Sequence, residues 1–488
     1  MRMLDSCVPN WSWAFPQGSH HQLIDAAIGC DDIQSLEAAH HWLTDNDIDD
    51  ASFRDHRLLL AVMERFKTQL RRHSAYPRLI GLQRQLWSRS MMTLHEAQKS
   101  LRRIAERGHA VMLIKGASAI AAAETRRKQR FACDIDAVVK PTDVVPVFEI
   151  LVEDGWIPSP GTSPQYLRER LSATRSINLF KGNWGDFDLH SRPFHPGQGG
   201  QADDDLFWDA ARVAQCAGVP LWIPQPEDRV ALAIAHGGLD GHSHSDWMVD
   251  LAVLMQQESL NWSRLAEIIV SRRIEVPASV TFEYFRTQLG YPIPASFLRP
   301  LFRSASSNCL RKVTGLVQCR PKEQFGITGK IVRGITKKCR KVKGARLMPA
   351  QPKDRLLKVR RISYSATSPI SPPPLVTSYS LGRPRHASDS PTRKVEIVLE
   401  IEPTTARRRF EWEICSPDTH HCRGRFRTWT LRETPLRLHL SGVIRCPSAD
   451  CELTLMSRPS RQLRDFASEL EKQRYNEPAF RVLSCQVS

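Results

Sequence analysis

The sequence predicts an α+β fold, in which a small sheet is flanked by helical regions and followed by a basic, disordered linker and a small C-terminal antiparallel β domain. Three observations support this prediction. Apolar residues in the first 105 positions recur largely at three- and four-residue steps, as on the buried face of a helix. The apolar stretch from Phe131 to Val139 has the composition of a strand, and five short stretches beyond residue 394 alternate or run apolar between turns. Helical and β-rich regions are therefore expected in separate parts of the chain.

Length and composition are those of a globular protein with additional sequence outside its core. The 488 residues are enough for about two to four domains, and 41% hydrophobic with 25% charged residues are ordinary values. The 32 prolines indicate a portion that does not join a core. No apolar run approaches the roughly 18–20 residues of a membrane span, and the N-terminus lacks the apolar region of a secretion signal. With 12 cysteines and no Cys-x-x-Cys pair, reduced thiols in a cytoplasmic protein are expected.

The positive charge is concentrated in one segment. The net charge is +17, and residues 303–361 contain 18 Lys and Arg against Glu323 and Asp354. The segment then becomes rich in Ser and Pro, so residues 303–394 are predicted to form a disordered linker. Counterion release would give residues 303–361 a weak affinity for polyanions such as nucleic acid or anionic lipid. The high pI therefore describes a basic connector rather than a basic enzyme.

A strand, a turn and a helix follow one another after the first helical region. His109 to Ile114 is a short apolar run, Lys115-Gly116-Ala117-Ser118 comes next, and an alanine-rich stretch follows. Free backbone N–H groups at such a turn suit a phosphate. Gly116 would let the phosphate approach the backbone, and Ser118 would donate its hydroxyl or cap the helix. The alternative is an ordinary junction that binds nothing, with Lys115 in solvent.

Two carboxylates interrupt the apolar strand that follows. Asp134 and Asp136 are two positions apart, so a strand would project both from one face. Like charges on a half-buried strand repel each other, and a divalent cation would remove that cost. Mg²⁺ favours one or two carboxylates together with substrate phosphates. The pattern indicates a metal–nucleotide site, and the alternative is a strand end whose aspartates face water.

A third carboxylate is expected on a neighbouring strand. Arg175 to Phe180 and Trp184 to His190 are predicted strands joined by a turn, and Asp186, Asp188 and His190 share one face of the second strand. Three carboxylates on adjacent strands are what a two-metal phosphoryl-transfer site requires. We interpret Asp186 as a surface residue near the turn. For His190, we favour exposure to solvent over support of the site from behind the metal ligands.

The order of these motifs resembles a known superfamily. Lys115-Gly116-Ala-Ser118, Arg130 four residues before Asp134-Ile-Asp136, and Asp188-Leu-His190 resemble the nucleotidyltransferase superfamily with the polymerase-β-like palm. Within it, the sequence is similar to the bacterial group of uncharacterised nucleotidyltransferases over roughly residues 55–270. It departs from the superfamily by placing Ala117 between Gly116 and Ser118 and by a longer spacing from Gly116 to the aspartates.

The resemblance implies a site and a cofactor. Asp134, Asp136 and Asp188 would be the catalytic carboxylates and the ligands of Mg²⁺ (or Mn²⁺), and Asp188 would also accept the proton of the attacking hydroxyl. The nucleotide-binding residues would be Lys115, Gly116, Ser118 and Arg130. For Arg130, an ion pair with a neighbouring carboxylate is an equal alternative to a phosphate contact. The substrates would be an NTP and an acceptor that the sequence does not identify.

The predicted domains follow the same order. Residues 1–105 form a helical region, 106–200 the nucleotidyltransferase palm, and 201–302 a helical subdomain bordering the nucleotide cleft. A role of His236 or Asp250 in shaping that cleft is the less favoured interpretation of these residues. The linker of residues 303–394 follows. Residues 395–488 are expected to form a β-rich accessory module that ends in a helix, from Arg461 to Lys472. Its Cys and His residues match no zinc-site spacing.

Three functions are compatible with these features. The first is a metal-dependent nucleotidyltransferase that moves an NMP from an NTP to a hydroxyl acceptor. The second is a non-catalytic protein that keeps the palm and binds nucleotides or polyanions. The third is a sugar-nucleotide glycosyltransferase in which Asp134-x-Asp136 holds the metal, but it leaves Lys115-Gly116 and the Asp188 strand unexplained. The nucleotidyltransferase is the prediction that accounts for most of the motifs.

Overall fold

The chain folds into two compact units, each with an apolar core of its own. The computed structural model describes residues 9–122, 130–158, 167–168, 171, 174–257, 259–327, 329–336, 358–361, 378–382, 392–402, 409–415, 422–429, 435–445, 453–459 and 480–487. The first unit comprises Met1–Ile150 and Trp184–Pro349, and the second comprises Leu151–Asn183 and Ala350–Ser488. The regions predicted as three domains over residues 1–302 therefore contribute mainly to a single unit.

The first unit contains a mixed sheet. The strands up to residue 223 are β1 (Val111–Leu113), β2 (Ile135–Val139), β3 (Ile157–Pro158), β4 (Ser176–Lys181), β5 (Gly185–His190), β6 (Arg212–Cys216) and β7 (Val219–Ile223). Of these, β3 and β4 belong to the second unit and pair with each other antiparallel. In the first unit, neighbouring strands follow the order β5-β2-β1-β7-β6. β2 runs parallel to β5 and antiparallel to β1, while β7 runs parallel to β1 and antiparallel to β6. All residues of β2 are buried, because strands pair with it on both sides and helices pack on it.

Helices precede, separate and follow the strands of this sheet along the chain. They are α1 (Gly18–Ile28), α2 (Asp32–Asp45), α3 (Phe53–Phe66), α4 (Tyr76–Glu106), α5 (Lys115–Ala122), α6 (Val144–Glu153), α7 (Gln201–Asp209), α8 (Pro226–His236), α9 (Asp246–Gln257), α10 (Trp262–Ser271), α11 (Glu275–Thr287), α12 (Ala295–Ser306), α13 (Cys309–Cys319) and α14 (residues 327–336, with 328 outside the description). Short 3₁₀ turns lie at Trp11–Ala14, Gln69–Arg72 and Lys322–Gln324. The predicted helical region before residue 105 is thus present.

Helix α3 illustrates how the local sequence builds this unit. Ser52 caps its first turn by accepting a hydrogen bond from the Asp55 backbone, and the Asp55 carboxylate accepts one from the Ser52 backbone in return. The apolar run Leu58–Met63 is buried, and all of it except Leu60 joins the core shared with α1, α8, α9 and α11. Packing of this kind, more than intrinsic propensity, holds such helices in place.

The packed helices extend into the segment that the sequence analysis assigns to the linker. Leu316 and Cys319 of α13 are buried, and Arg311 of the same helix forms an ion pair with Glu275. The disorder predicted from residue 303 onward is therefore wrong for residues 303–327 and 329–336. The segment is highly charged, but it contains enough apolar residues to bury one face of a helix. The remainder of the predicted linker is described only at 358–361, 378–382 and 392–394.

The second unit contains an antiparallel β-sandwich. Its strands after residue 350 are β8 (Lys358–Arg361), β9 (Ser378–Gly382), β10 (Thr392–Ile401), β11 (Arg409–Cys415), β12 (Cys422–Trp429), β13 (Leu436–Arg445), β14 (Leu453–Pro459) and β15 (Phe480–Val487). They form two four-stranded sheets in the orders β15-β10-β13-β8 and β12-β11-β14-β9. Trp412 and Phe480 meet edge to face between the sheets, with ring centroids 5.0 Å apart.

The five strands predicted after residue 394 are confirmed as β10 to β14. The structure also contains β15, and it contains β8 and β9 within the predicted linker. The composition of the linker does not indicate these two strands, because their stability comes from pairing with β13 and β14. The helix predicted from Arg461 to Lys472 lies outside the described residues. No helix among the described ranges combines the length and apolar character needed to cross a membrane.

A buried histidine pair in the first unit gives stability a pH dependence. His20 Nε2 lies 2.9 Å from Ser245 Oγ and its ring contacts His242. Burial, followed by the charge of Arg54, lowers the pKa of His20 from 6.5 to about 3. Between these values the unfolded chain binds a proton that the folded chain does not, so the free energy of unfolding falls as the pH falls through this window.

We expect His20→Gln to weaken this pH dependence. Its thermal midpoint should fall less than that of the wild type between about pH 7 and pH 5, measured by circular dichroism. Exposed His41 on α2 supplies the matched control, since His41→Gln removes a solvated imidazole and should leave the slope unchanged. An unchanged slope in His20→Gln would show that other groups set the acid stability.

Candidate functional site

The register of two strands places two carboxylates side by side. β2 and β5 are parallel neighbours, and their paired residues include Asp136 with Asp188 and Val138 with His190. Directly paired residues on neighbouring strands have adjacent side chains. Asp136 is 3% exposed, so its charge requires compensation from other groups.

His190 lies between these carboxylates. Its Nε2 atom is 2.9 Å from Asp136 Oδ1 and 3.1 Å from Asp188 Oδ2. The side chain is fully buried, and Nδ1 has no hydrogen-bond partner among the described residues. Because carboxylates only accept hydrogen bonds, Nε2 carries the proton that faces them. The expected exposure of His190 to solvent is therefore wrong, and its contacts agree with the alternative in which it supports the site.

Lys115 supplies the second compensating group. It follows β1, where the Ile114 backbone N–H donates to the Asp136 carbonyl at 3.0 Å, and its Nζ forms an ion pair with Asp136 Oδ1. Its φ angle is 51°, in the left-handed region that a side chain rarely adopts. Strain of this kind persists where the surrounding structure imposes it, and it is concentrated at functional sites.

The pKa values of Asp134 and Asp136, at the N-terminal end of β2, are shifted in opposite directions. Burial disfavours the charge of Asp136, but Lys115 and the hydrogen bond from His190 outweigh it and lower its pKa below the usual range. Burial raises the pKa of Asp134 to about 6, and the charge of Asp136 adds to the effect. The environment therefore keeps Asp136 ionised and makes ionisation of Asp134 costly.

Asp134 does not occupy the place that the strand pattern predicts. β2 begins at Ile135 rather than Phe131, so Asp134 lies in a bend before the strand, where Cys133 Sγ is 3.6 Å from its Oδ1. In the described ranges, the group of candidate metal ligands within 4.8 Å of one another comprises Asp136, Asp188 and His190. The alternation of side chains applies only within a strand, so it does not determine the direction of Asp134, which lies before β2.

Gly116 and Ser118 lie in the first turn of α5. The Ser118 hydroxyl donates to the Lys115 carbonyl at 2.8 Å, and the residue is 2% exposed. A Cβ atom at Gly116 would lie 3.3 Å from both Arg130 Nη2 and Ala132 Cβ. Gly116 thus permits the close approach of Arg130. The hydroxyl of Ser118 is used within its own helical turn and is not directed at Asp136.

Arg130 belongs to a buried ion-pair network. Its Nε donates to Asp250 Oδ1 at 2.8 Å and its Nη2 to Asp250 Oδ2 at 3.2 Å, while Nη1 pairs with Asp246. Arg57 of α3 lies 3.2 Å from the same Asp246 carboxylate. Of the two alternatives for Arg130, the structure shows the ion pair. The network ties α3 and α9 to the segment that leads into β2.

Several residues have roles that sequence reasoning did not assign. Asp250 holds Arg130, and His236 Nε2 donates a hydrogen bond to the Pro193 carbonyl, 3.2 Å away. Asp186 is half-buried on β5 and lies outside the group of three ligands. Arg57 was missed, although the four-residue spacing of Asp246 and Asp250 on one helical face indicated a basic partner.

The donor set is compatible with a divalent cation. Asp136 and Asp188 offer adjacent carboxylate oxygens, the ligand type that Mg²⁺ and Mn²⁺ prefer. The imidazole of His190 already bonds both carboxylates, which fixes their orientation as an outer partner of a metal site does. The ammonium of Lys115 forms an ion pair with Asp136, so this end of the strand pair already binds a positively charged group.

Comparison with known proteins supports the sequence resemblance. Residues 52–290 match the family model described as uncharacterised nucleotidyltransferase, a range that contains every residue of the site and of the Arg130 network. The chain is similar to the solved antibiotic-resistance factor ANT(2'')-Ia at 13% identity, with a TM-score of 0.27, over 40% of this chain and 98% of that chain. A TM-score this low does not establish a shared fold. No curated protein sequence matches the chain.

Proposed function

We propose that this protein, whose residues 52–290 match the uncharacterised nucleotidyltransferase family, transfers an NMP from an NTP to a hydroxyl acceptor in a metal-dependent reaction. The pairing of Asp136 with Asp188 on parallel strands carries the proposal, because adjacent buried carboxylates with one lysine fit a metal–nucleotide complex. An NTP substrate agrees with the cytoplasmic location expected from the sequence.

The cation would be held by Asp136 and Asp188. When bound, it would neutralise phosphate charge and orient the reacting oxygens. The charges of Asp136, Lys115 and Asp188 act on Asp134, so a bound cation would favour the ionised form of Asp134 at the same site. Asp188 remains the residue proposed to accept the proton of the acceptor hydroxyl.

The remaining side chains would position these carboxylates. His190 contacts both through Nε2 and keeps them oriented. Lys115 neutralises Asp136 before substrate arrives and, with its ammonium at the same edge, would pair with a phosphate once a metal takes its place. Gly116 would act indirectly, by letting Arg130 pack against the start of α5.

The test is turnover of NTP labelled at the α-phosphate, with Mg²⁺ or Mn²⁺, following pyrophosphate release and label transfer. Each of the four ribonucleotides would be supplied in turn with a mixture of small-molecule, protein and nucleic-acid acceptors. We expect pyrophosphate release by the wild type and none by Asp136→Asn/Asp188→Asn. Absence of both release and NTP binding with either metal would overturn the proposal and favour a non-catalytic role.

Replacing Lys115 should separate metal binding from nucleotide binding. Because its ammonium competes for Asp136, Lys115→Met is expected to bind Mn²⁺ at least about fivefold more tightly without NTP, measured by calorimetry. The same variant should bind NTP more weakly. Lys140→Met is the control, since Lys140 follows the opposite end of β2. Unchanged Mn²⁺ affinity in Lys115→Met would contradict the placement of the cation at Asp136.

A further inference from the structure

Helix α14 is oriented with its apolar side away from the protein. Ile327, Ile331, Val332 and Ile335 are 79%, 57%, 48% and 58% exposed, respectively. These four residues define the outer face. Positions 327, 331 and 335 are successive four-residue steps, so three isoleucines align along one side of the helix. A surface helix of a globular protein usually buries this stripe, and α14 does the reverse.

The opposite side of α14 is built to face the protein. Arg333, about half a turn away from the outer face, is 8% exposed. Its Nη1 donates to the Arg320 carbonyl at 3.2 Å, and its Nη2 lies 3.8 Å from Asp240 Oδ1. A buried arginine with these partners fixes the rotation of the helix about its axis.

Two glycines make room for this orientation. Gly241 has a φ of +57°, and a Cβ there would lie 1.6 Å from Arg333 Nη1. At Gly329, on the inner side of α14, a Cβ would lie 2.1 Å from the ring of Phe325. Close packing on the inner side excludes a simple rotation that would bury the isoleucines.

Charge identifies the kind of surface that matches the outer face. The sequence has no acidic residue between Glu323 and Asp354. Lys330 is exposed on α14, and the chain directly after the helix contains a run of basic residues, Lys337, Lys338, Arg340, Lys341 and Lys343. Apolar side chains beside a dense positive charge are the signature of segments that lie in a membrane interface.

We propose that the outer face of α14 docks on an anionic phospholipid membrane surface, with the isoleucines among the acyl chains and the positive charge of Lys330 and of the sequence after the helix favouring anionic headgroups. Insertion of a short apolar face and attraction to anionic lipid are each weak, and together they give stable attachment. A nucleic acid would satisfy the lysines and leave four apolar side chains in water. A second copy would bring two strongly basic segments together.

The test is flotation of the full chain with vesicles of phosphatidylcholine alone or mixed with phosphatidylserine. We expect binding to the anionic vesicles only, weakened by salt. Ile331→Asp/Ile335→Asp should lower the partition coefficient at least about tenfold, because each carboxylate meets both hydrocarbon and like charge. Lys337→Ala/Lys338→Ala should also lower it, at about fivefold per lysine removed.

Controls keep the result interpretable. Ile33→Asp places the same substitution on α2, at an isoleucine that is 73% exposed, and should leave vesicle binding unchanged. Circular dichroism verifies folding, and Ile331→Ser/Ile335→Ser serves if the aspartates disturb it. Equal binding by the isoleucine variants and the wild type overturns the proposal. So does a dimer that those variants dissolve, or binding of single-stranded nucleic acid that depends on the isoleucines while vesicles stay unbound.

Discussion

Asp136→Asn is expected to reduce NTP turnover by about 10³-fold, the order of loss seen when a group that stabilises transition-state charge is removed. The substitution removes the charge that meets Lys115 and His190 and that would hold the metal. Asp188→Asn should have a loss of the same order, since Asp188 is paired with Asp136 in the strand register. Initial rates of pyrophosphate release at saturating NTP measure both effects.

The same assay tests whether Asp134, predicted as a metal ligand from strand alternation, is as important as Asp136. Asp134→Asn should lose only about tenfold, because Asp134 lies outside the group formed by Asp136, Asp188 and His190. Asp143→Asn is the matched control, as Asp143 follows the other end of β2 and faces His109 at 3.5 Å. A loss for Asp134→Asn equal to that for Asp136→Asn would return Asp134 to the metal site.

Arg130→Met should lower the free energy of unfolding of the first unit by about 3–5 kcal/mol, the cost of leaving a buried charge without its partner. The side chains of Asp246 and Asp250 are 5% and 10% exposed, so water cannot replace the guanidinium. Arg57 still neutralises Asp246, which leaves Asp250 as the main source of the loss. Urea unfolding followed by circular dichroism measures it.

An exposed ion pair provides the comparison. Arg286 pairs with Glu283 one helical turn away on α11, and its side chain is 45% exposed, so Arg286→Met should change the unfolding midpoint little. Equal effects for the two arginines would mean that the network contributes no more than a surface pair. If Arg130→Met folds normally but loses NTP binding, then Arg130 contacts a phosphate in the bound state.

Sequence reasoning was most reliable where a pattern lies within one element. The helical stripes of the first 105 residues and the strands β10 to β14 follow from apolar spacing alone. It was less reliable where composition hides packing. Residues around α13 look like linker because of their charge, yet burial of Leu316 and Cys319 orders them. Strands β8 and β9 are equally inconspicuous, because their stability comes from partners far along the chain.

The order of residues is enough to predict that carboxylates follow a strand–turn–helix motif and that Asp136 and Asp188 lie on strands. Which groups meet depends on how the strands and helices pack. This packing brings His190 to both carboxylates, turns Lys115 onto Asp136, and pairs Arg130 with Asp250, 120 residues away. The reason is physical: a residue's position in an element sets the side on which it projects, whereas strand register and helix packing set what lies on that side.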